Sequence, residues 1–573
     1  MQKTCRQCRA SFEITDEDLK FYDKVSPVIG GKKFTVPPPT LCPECRQQRR
    51  LANTNDRHLY RRKSDKSGKE IISSIAPGKP FTVYEPKEWW SDDWDAMAYG
   101  RTFDPAMPFF KQLEQLFIKV PLVSLMVDGN ENSEYVQYSG WDKNCYLAYC
   151  CDYSEDCLYV HSVYHSKNIV DSYFVYHSEL CYECVYCRDC YQLSFSQNCT
   201  NCSDSSFLFD CINCKQCFGS VGLRNREYVF FNEQLNKETY AKAMQEYAKL
   251  SHAKIAAVKE RMKPLLQTLP RKPTIGLGNE NAHGDYLTNC KDSVLCFDCV
   301  DLQDCKNCNA VQGARDCHDI SHWGRPAELC YDSWGIGEGA LQVLFSACCW
   351  PNCSNLMYCE HCISCQDCFG CVGLRRKQYC ILNKQYTKEE YERLVPEIIE
   401  HMRNDGGGGA MNLNEVSGSW GEFFPQQLSP FAYNESMAND YFPLTKAEAQ
   451  KKGFTWSDYE PPQPVAEKVI NGKDLPDSIS EIPEDVLNWA IACEQSKKPF
   501  KVIKQELDFY RRMNLPVPRL HPDERHKKRM ALRNPRKLWE RNCANCKKAI
   551  TTSYSPDRPE IVYCESCYLA AVY

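Results

Sequence analysis

Small and apolar residues recur every twelve positions through much of residues 133–383. When the chain is written in rows of twelve, one column holds Cys145, Cys157, Ile169 and Cys181. Asp or Asn, which tolerate left-handed backbone, precedes 14 of the 29 cysteines in this region. The pattern predicts a narrow β-solenoid with a coil of about twelve residues, corners at Asp or Asn, and small side chains inside.

The repeating pattern occurs in two blocks. A shift of 151 residues lays CFGSVGLRNREYVFFN (217–232) on CFGCVGLRRKQYCILN (368–383). After each block the apolar residues change to helical spacing, which predicts an amphipathic helix that caps or braces the solenoid. DGGGGAMNLNEVSGS (405–419) then predicts a flexible linker.

Cysteine pairs at the two ends of the chain have the spacing of zinc ligands. Two CxxC turns complete a tetrahedron of sulfur atoms, so we expect two structural zinc ions. The expected ligands are Cys5, Cys8, Cys42 and Cys45 at one end, and Cys543, Cys546, Cys564 and Cys567 at the other.

Each end also contains a copy of the other end's motif in which all or most of the four cysteines are replaced. A shift of 479 residues lays 59–88 on 538–567, where Ser64, Ser67, Glu85 and Glu88 face the four C-terminal ligands. A shift of 488 lays Cys5 on Cys493, and LCPECRQQRRLA (41–52) matches LHPDERHKKRMA (520–531). Cys493, His521 and Glu524 could hold a metal with an open position, although a decayed structural site explains the same residues.

We therefore expect a multi-domain, mainly β protein with helical connectors, with zinc ribbons at both ends flanking two cysteine-lined solenoid-like modules. The expected parts are a zinc ribbon (1–50), a degenerate ribbon copy (51–92), an aromatic and helical connector (93–132), the first solenoid (133–232), a helix and linker (233–282), the second solenoid (283–383), a helix and Gly-rich linker (384–419), an aromatic, proline-containing connector (420–483), a degenerate treble-clef copy (484–535) and a zinc ribbon (536–573).

Two resemblances fit this order of parts. With Phe12, Phe21-Tyr22 and Cys42-Pro43-Glu44-Cys45-Arg46, the N-terminal segment resembles the zinc-ribbon (treble-clef) family, which implies zinc and no particular function. The whole chain resembles multi-domain cysteine-rich zinc-ribbon proteins of small-genome, uncultivated bacteria. That resemblance implies a recurring architecture and no activity.

Charge adds a candidate nucleic-acid contact. The chain of 573 residues has a net charge of −5, so it is not a polycation, but the helices expected after the cysteine knuckles are basic. A metal-pinned basic helix is a common way to bind phosphates, so RNA or DNA is the expected partner; an acidic protein, or an acidic domain of the same chain, are the alternatives. The residues concerned are Arg46, Arg49, Arg50 and Arg57 near the N-terminus and Arg525, Lys527, Lys528 and Arg529 near the C-terminus.

The role of the solenoid cysteines stays open at this point. They could be small apolar fillers, disulfides, or metal ligands, with Cys187, Cys190, Cys199, Cys202, Cys362 and Cys365 as the candidate ligands. Serine, valine, leucine and isoleucine occupy the same columns in other rows, which favours the filler interpretation.

Location and activity complete the expectations. The sequence MQKTCRQCRASFEITDEDLK has no apolar signal-peptide core and no run is long enough to span a membrane, so we expect a reducing cytoplasm and no membrane partner. Catalytic motifs are absent, which favours a binding protein over an enzyme. The hypotheses are a zinc-stabilised protein that contacts nucleic acid, a metal-handling or thiol-redox protein, and a protein-interaction scaffold.

Overall fold

The computed structural model describes residues 1–321, 324, 327, 328, 330–405 and 418–572. This part of the chain is mixed α and β, with many short strands and twelve α-helices. It divides into two compact units, the first made of Met1–Leu125, Thr274–Tyr459 and Pro535–Leu538, and the second of Met126–Pro273, Glu460–Asn534 and Trp539–Tyr573. The middle of the predicted Gly-rich linker, residues 406–417, lies outside the described residues.

The second unit is built on a ladder of parallel strands, here called ladder 1 (residues 127–230). Tyr146 pairs with Leu158, and His161 with Tyr173, so each row lies beside the residues twelve positions further on. The same twelve-residue register continues through isolated bridges as far as Phe218 and Phe230.

A left-handed residue at every third position explains this register. From Tyr138 to Gln216, every third residue has φ between +47° and +57°. Each corner N–H donates to a carbonyl of the preceding row, as Asn144 does to Glu131 (3.0 Å), so hydrogen bonds on both sides of the row hold a backbone shape that L-residues otherwise avoid. A row of twelve residues therefore contains four triplets, each with one inward residue, one strand residue and one corner.

The inward residues of ladder 1 are small or aliphatic and form its core. Cys145, Ala148, Cys151 and Ser154 occupy one row, and all are buried. A second cluster on the outside of the ladder joins Leu158, Tyr182 and Phe207 to Leu507 and Tyr510 of the C-terminal segment.

The first unit contains the corresponding ladder 2 (residues 276–381), whose register is less regular than predicted. Lys306 pairs with His318 twelve residues later, but His318 pairs with Tyr331 and Ala347 with Glu360, which are thirteen apart. One-residue insertions in these rows therefore lengthen the predicted twelve-residue repeat.

Helices cover or flank the ladders in both units. The helix predicted after the first solenoid is instead two helices. Ser251 caps the second of them, and its Oγ accepts a hydrogen bond from Lys254 N at 3.2 Å. No helix in the described ranges is both long and apolar enough to cross a bilayer. The α-helices are Asp16–Val25, Pro43–Leu51, Pro86–Trp90, Phe109–Lys119, Lys388–Asp405, Met437–Tyr441 and Lys446–Lys451 in the first unit, and Lys237–Met244, His252–Thr268, Lys504–Met513, Pro522–Ala531 and Glu565–Val572 in the second.

The strands are short throughout. Those of the first unit are Gln2–Thr4, Ser11–Glu13, Val28–Ile29, Lys32–Lys33, Tyr60–Lys63, Glu70–Ser73, Val83–Tyr84, Leu122–Val123, Gly276–Leu277, His283–Thr288, Val294–Gln303, Gln312–Arg315, Ala327–Glu328, Ala340–Leu344, Ser354–Met357, Gln366–Phe369, Gln378–Ile381 and Lys384–Gln385. Those of the second unit are Val127–Asp128, Val136–Gln137, Ser139–Gly140, Tyr146–Tyr149, Leu158–Tyr164, Lys167–Val170, Tyr173–Tyr176, Glu179–Tyr182, Val185–Arg188, Tyr191–Ser194, Ser203–Ser206, Val229–Phe230, Glu233–Gln234, Lys468–Asn471, Trp489–Ala492, Pro499–Phe500, Trp539–Asn542 and Ala549–Thr552.

Candidate metal centres and the basic helices

The N-terminal cysteines come together as a compact group of four thiols. In the first turn, Cys5 N donates to Ala10 O (2.8 Å) and Arg9 is left-handed, with φ of +65°. The second turn is the start of the Pro43–Leu51 helix, where Arg46 N donates to Cys42 O (3.0 Å). The sulfur atoms of Cys5, Cys8, Cys42 and Cys45 all lie within 4.8 Å of one another.

The C-terminal cysteines form a group of the same geometry. Cys543 N donates to Lys548 O (2.8 Å), Lys547 has φ of +65°, and the Glu565–Val572 helix follows Cys564 directly. Cys564 N also donates to the Cys543 sulfur at 3.1 Å. The sulfur atoms of Cys543, Cys546, Cys564 and Cys567 lie within 4.8 Å of one another.

The surroundings favour the thiolate form, which metals bind, in some of these thiols and oppose it in others: the pKa values of Cys8, Cys45 and Cys567 are raised. A hydrogen bond from the Cys45 thiol is the largest cause that lowers the pKa of Cys42, to about 5. Burial opposes ionisation of Cys543, but backbone N–H groups, first that of Cys564, lower its pKa to about 6. Both groups of four could therefore hold a metal ion.

The two copies without the cysteine set keep the same backbone turn. Ser64 N donates to Lys69 O (2.9 Å) with Gly68 at φ of +74°, and Ser64 Oγ donates to the Glu88 carboxylate. In the other copy, Cys493 N donates to Lys498 O (3.0 Å). In these copies the backbone turn does not depend on a complete set of metal ligands.

The possible open site at Cys493, His521 and Glu524 does not assemble. His521 Nδ1 accepts a hydrogen bond from Asp523 N (3.1 Å), so it caps the Pro522–Ala531 helix. Among the described residues, these three side chains do not form a group with donor atoms within 4.8 Å.

Most of the candidate nucleic-acid residues of the first unit are buried in ion pairs with ladder 2. Arg46 Nε donates to Asp319 Oδ2 at 2.6 Å, and Arg49 Nη2 donates to Asp332 Oδ2 at 2.9 Å. Arg50, which is 0% exposed, donates to the other oxygen of Asp332. Burial opposes ionisation of Asp332, but the charges of Arg50 and Arg49 hold its pKa below the ordinary value.

The fourth candidate of the first unit is the half-buried Arg57. Its guanidinium lies 3.6 Å from the carboxylate of Asp440.

The second unit repeats this contact on ladder 1. Arg525 and Arg529, one helical turn apart, both donate to the buried carboxylate of Asp171, Arg529 at 2.7 Å. Glu506 Oε1 lies 3.4 Å from Arg525 Nη1. Only Lys527 and Lys528 of the C-terminal candidates are exposed, and Lys527 pairs with Glu524 at 2.9 Å.

The expectation that these helices offer their arginines to phosphates therefore needs correction. Arg46, Arg49, Arg50, Arg525 and Arg529 bind carboxylates of their own unit, because the helix face that carries them packs on a ladder. The nucleic-acid partner stays a prediction. The carboxylates concerned, Asp171, Asp319 and Asp332, are ion-pair partners that the sequence analysis did not single out.

The ladder cysteines act as buried hydrogen-bond donors. Cys190 donates its thiol to Arg188 O (3.1 Å) and Cys365 to Ile363 O (3.4 Å), two residues earlier in each case. Serines make the same bond, as Ser196 does to Ser194 O (2.8 Å). The same donor pattern holds for the remaining candidate ligands, Cys187, Cys199, Cys202 and Cys362.

These six thiols do not form metal-ligand clusters in the described part of the chain, where no three of them come within 4.8 Å of one another. All the cysteines lie in the described part of the chain, and no disulfide joins them. Burial is the largest cause that raises the pKa of Cys199 and Cys362 well above the ordinary value, whereas hydrogen bonds from Cys362 and Cys368 lower the pKa of Cys365 to about 4. A buried, protonated thiol bonded to a carbonyl is chemically inert.

Comparison with protein-family models and with curated proteins finds no match to this chain. The resemblances noted from the sequence therefore stay predictions, and the function is argued from the geometry of the chain.

Proposed function

We propose that this protein is a zinc-stabilised binding scaffold without catalytic activity. In this proposal each ladder is a β-solenoid-like rod, and buried ion pairs fix the Pro43–Leu51 helix to the rod of the first unit and the Pro522–Ala531 helix to that of the second. The observation that carries the proposal is a contact made in both units: two arginines one turn apart pair with a buried aspartate, Arg46 and Arg50 with Asp319, and Arg525 and Arg529 with Asp171. The buried arginines of the two basic helices therefore hold each helix on its ladder and do not face a ligand.

Zinc is the proposed ion in both groups of four thiols. A set of four thiolates suits a borderline-soft cation that prefers tetrahedral coordination, and closed sets of this kind are structural. A bound zinc would connect the two cysteine turns of each group.

The solenoid proposal rests on the triplet geometry. Four left-handed corners per row and parallel pairing at twelve residues support a coil that turns at each corner. The interior accepts cysteine and serine alike, because both can donate to the carbonyl two residues earlier. This use of the thiols argues against the alternative of a metal-handling or thiol-redox protein.

The best candidate for a binding surface is a row of exposed rings on ladder 1, here called the ring row. Trp141, Tyr153, His165 and His177 occupy one corner column, with neighbouring ring centroids 5.0, 5.0 and 5.1 Å apart and interplanar angles of at most 9°. Trp141 is 48% exposed and Tyr153 46%. Large rings are rarely left exposed in such a regular row without a binding role.

A groove of about 650 Å³ runs along part of the ring row. Glu155, Glu179 and Asp189 line it, against one cation, Lys167, which pairs with Glu155 at 2.9 Å. The excess of carboxylates would repel phosphates. We therefore propose that the groove binds a basic, lysine- or arginine-bearing segment of a partner protein, whose aliphatic stems would cover the rings.

A nucleic-acid contact would need other residues than those first considered. Lys527 and Lys528 are the exposed cations that remain of the C-terminal set. The charge of the groove makes nucleic acid the less favoured ligand.

Fluorescence anisotropy with three labelled probes tests this proposal: heptalysine, heptaglutamate and a short single-stranded DNA. We expect heptalysine to bind most tightly. The double variant Glu179→Lys/Asp189→Lys should weaken its binding by about 2- to 30-fold, at roughly 0.2–1 kcal/mol for each of the two exposed charge pairs. Glu233→Lys, an exposed charge reversal outside the groove, is the matched control.

Two results would overturn the proposed surface. One is heptalysine binding that ignores the groove variant. The other is DNA binding that exceeds heptalysine binding and is lost in Lys527→Gln/Lys528→Gln, which would restore the nucleic-acid hypothesis.

A further inference from the structure

A third group of metal-ligating side chains lies in the first unit, away from both cysteine tetrads. One donor atom from each of Cys348, Glu360 and His361 lies within 4.8 Å of the other two. We propose that these residues bind a divalent zinc-class ion with three protein ligands and one open coordination position. The proposal does not depend on the function of the groove.

The ladder register brings the three side chains together. Ala347 pairs with Glu360, so the next residues, Cys348 and His361, are neighbours in one corner column, with φ of +51° each. Corner residues do not point inward with the ladder thiols. The difference is clear beside Cys349, which points inward and donates to Ala347 O at 3.3 Å.

Glu360 and His361 lie at a spacing that also suits two ligands of one ion. His361 Nδ1 lies 3.0 Å from Glu360 Oε1, within ion-pair distance. Two atoms that each bind zinc at about 2.0–2.1 Å in a tetrahedron are about 3.3 Å apart. The observed spacing is therefore close to the edge of such a site.

The charge and surroundings also suit a metal. A thiolate, a carboxylate and a neutral imidazole balance a divalent cation, so the occupied site would carry no net charge inside a region of low exposure.

Space and access are compatible with a fourth, exchangeable ligand. The rows on either side place Gly335 and Gly373 in the same corner column. At Gly335 a Cβ would meet only the Cys348 sulfur, at 4.0 Å, whereas the side chains of Val120, Trp94 and Ala96 occupy the space at Gly373. The side chains of His361 and Glu360 are 15% and 16% exposed to solvent, which leaves a path for water. Trp89 packs beside the imidazole, with ring centroids 6.3 Å apart.

The test counts zinc per chain by native mass spectrometry after equilibration of the reduced, full-length protein with zinc. We expect three ions in the wild type, two in Cys348→Ser and in His361→Asn, and three in the control Cys349→Ser. Asn tolerates the left-handed corner, so His361→Asn should keep the fold, which circular dichroism and a urea midpoint would verify.

Cobalt(II) provides a second measurement on protein whose tetrads are filled with zinc. A thiolate-to-cobalt absorption band should saturate with one further ion in the wild type. Glu360→Gln should weaken the binding of that ion at least about tenfold, because losing a direct ligand lowers metal affinity more than losing a residue that only hydrogen-bonds to a ligand. Two zinc ions in the wild type, or a third ion retained in His361→Asn, would overturn the proposal.

Discussion

Replacing Asp171 by asparagine tests the buried ion pairs that fix the Pro522–Ala531 helix to ladder 1. The carboxylate is fully buried and binds both Arg525 and Arg529. Asparagine has nearly the same shape and tolerates the left-handed corner that Asp171 occupies, at φ of +51°, so the substitution removes little except the charge.

The expected cost follows from what remains after the change. Two guanidinium groups stay buried, with Glu506 as the nearest remaining carboxylate, 3.4 Å from Arg525. Breaking a buried pair by removing one partner costs about 3–5 kcal/mol, because the other charge is left uncompensated. That is a large part of the roughly 5–15 kcal/mol by which a domain is stable.

Urea unfolding of the full-length chain is the assay, followed by a signal from the second unit. Asp189→Asn is the control, because Asp189 is an exposed corner residue of the same ladder with φ of +54°, and it should change the unfolding free energy by less than about 0.5 kcal/mol. A double-mutant cycle with Arg529→Gln should give a coupling of about 1–3 kcal/mol.

High salt should change this coupling little, since buried pairs are poorly screened. A cost for Asp171→Asn below about 1 kcal/mol, or one equal to that of the control, would refute the view that these pairs hold the helix in place.

Three further predictions concern pH, metal and thiols. Burial raises the pKa of Asp142 to about 7, far above its value near 3.9 in the unfolded chain, so the folded state binds the proton more tightly. Relative to Asp142→Asn, the unfolding free energy of the wild type should fall by up to about 1.4 kcal/mol per pH unit from pH ~4 to ~7 and then level off. Equal pH slopes for the two proteins in urea titrations would contradict this. Removing metal with a chelator should speed amide hydrogen exchange in the turns that begin at Cys5 and Cys543 and leave exchange unchanged in the copies near Ser64 and Cys493. Equally faster exchange in all four turns would contradict a local stabilisation by metal. Cys199→Ser should cost less than about 1.5 kcal/mol because the hydroxyl can donate to the same Gln197 carbonyl, while Cys199→Leu should cost about 1–3 kcal/mol by overpacking, and a reversed order in thermal unfolding would exclude the donor role.

Local spacing made part of this structure predictable. The CxxC pairs indicated which cysteines meet because two ligands per turn leave few alternatives, and the tetrads form as expected. The twelve-residue columns likewise indicated rows in parallel register, which the pairing of Tyr146 with Leu158 shows.

The triplet within the row has a partial signal in the sequence. Five ladder cysteines come at every third position, but this spacing does not by itself predict a left-handed residue in each triplet; they are Cys359, Cys362, Cys365, Cys368 and Cys371. Because aromatic and aliphatic residues also occupy the left-handed corners, the Asp and Asn signal alone understated how regular the corners are.

The buried ion pairs could not be read from the sequence. A helix with Arg46, Arg49 and Arg50 looks the same whether it faces phosphates or carboxylates, and Asp319 and Asp332 look like the other corner residues. Only tertiary packing, which depends on distant segments of the chain, decides between these environments.

The central claim is that the inward-facing thiols of the ladders are reduced and metal-free and that the ladders serve as a rigid frame. Intact mass spectrometry tests it most directly, by weighing the native protein and then alkylating it during unfolding without a reductant. The account predicts at most three metal ions and alkylation of all thirty cysteines outside the tetrads, 38 minus 8. Four or more ions, or ladder cysteines that resist alkylation as disulfides, would contradict it.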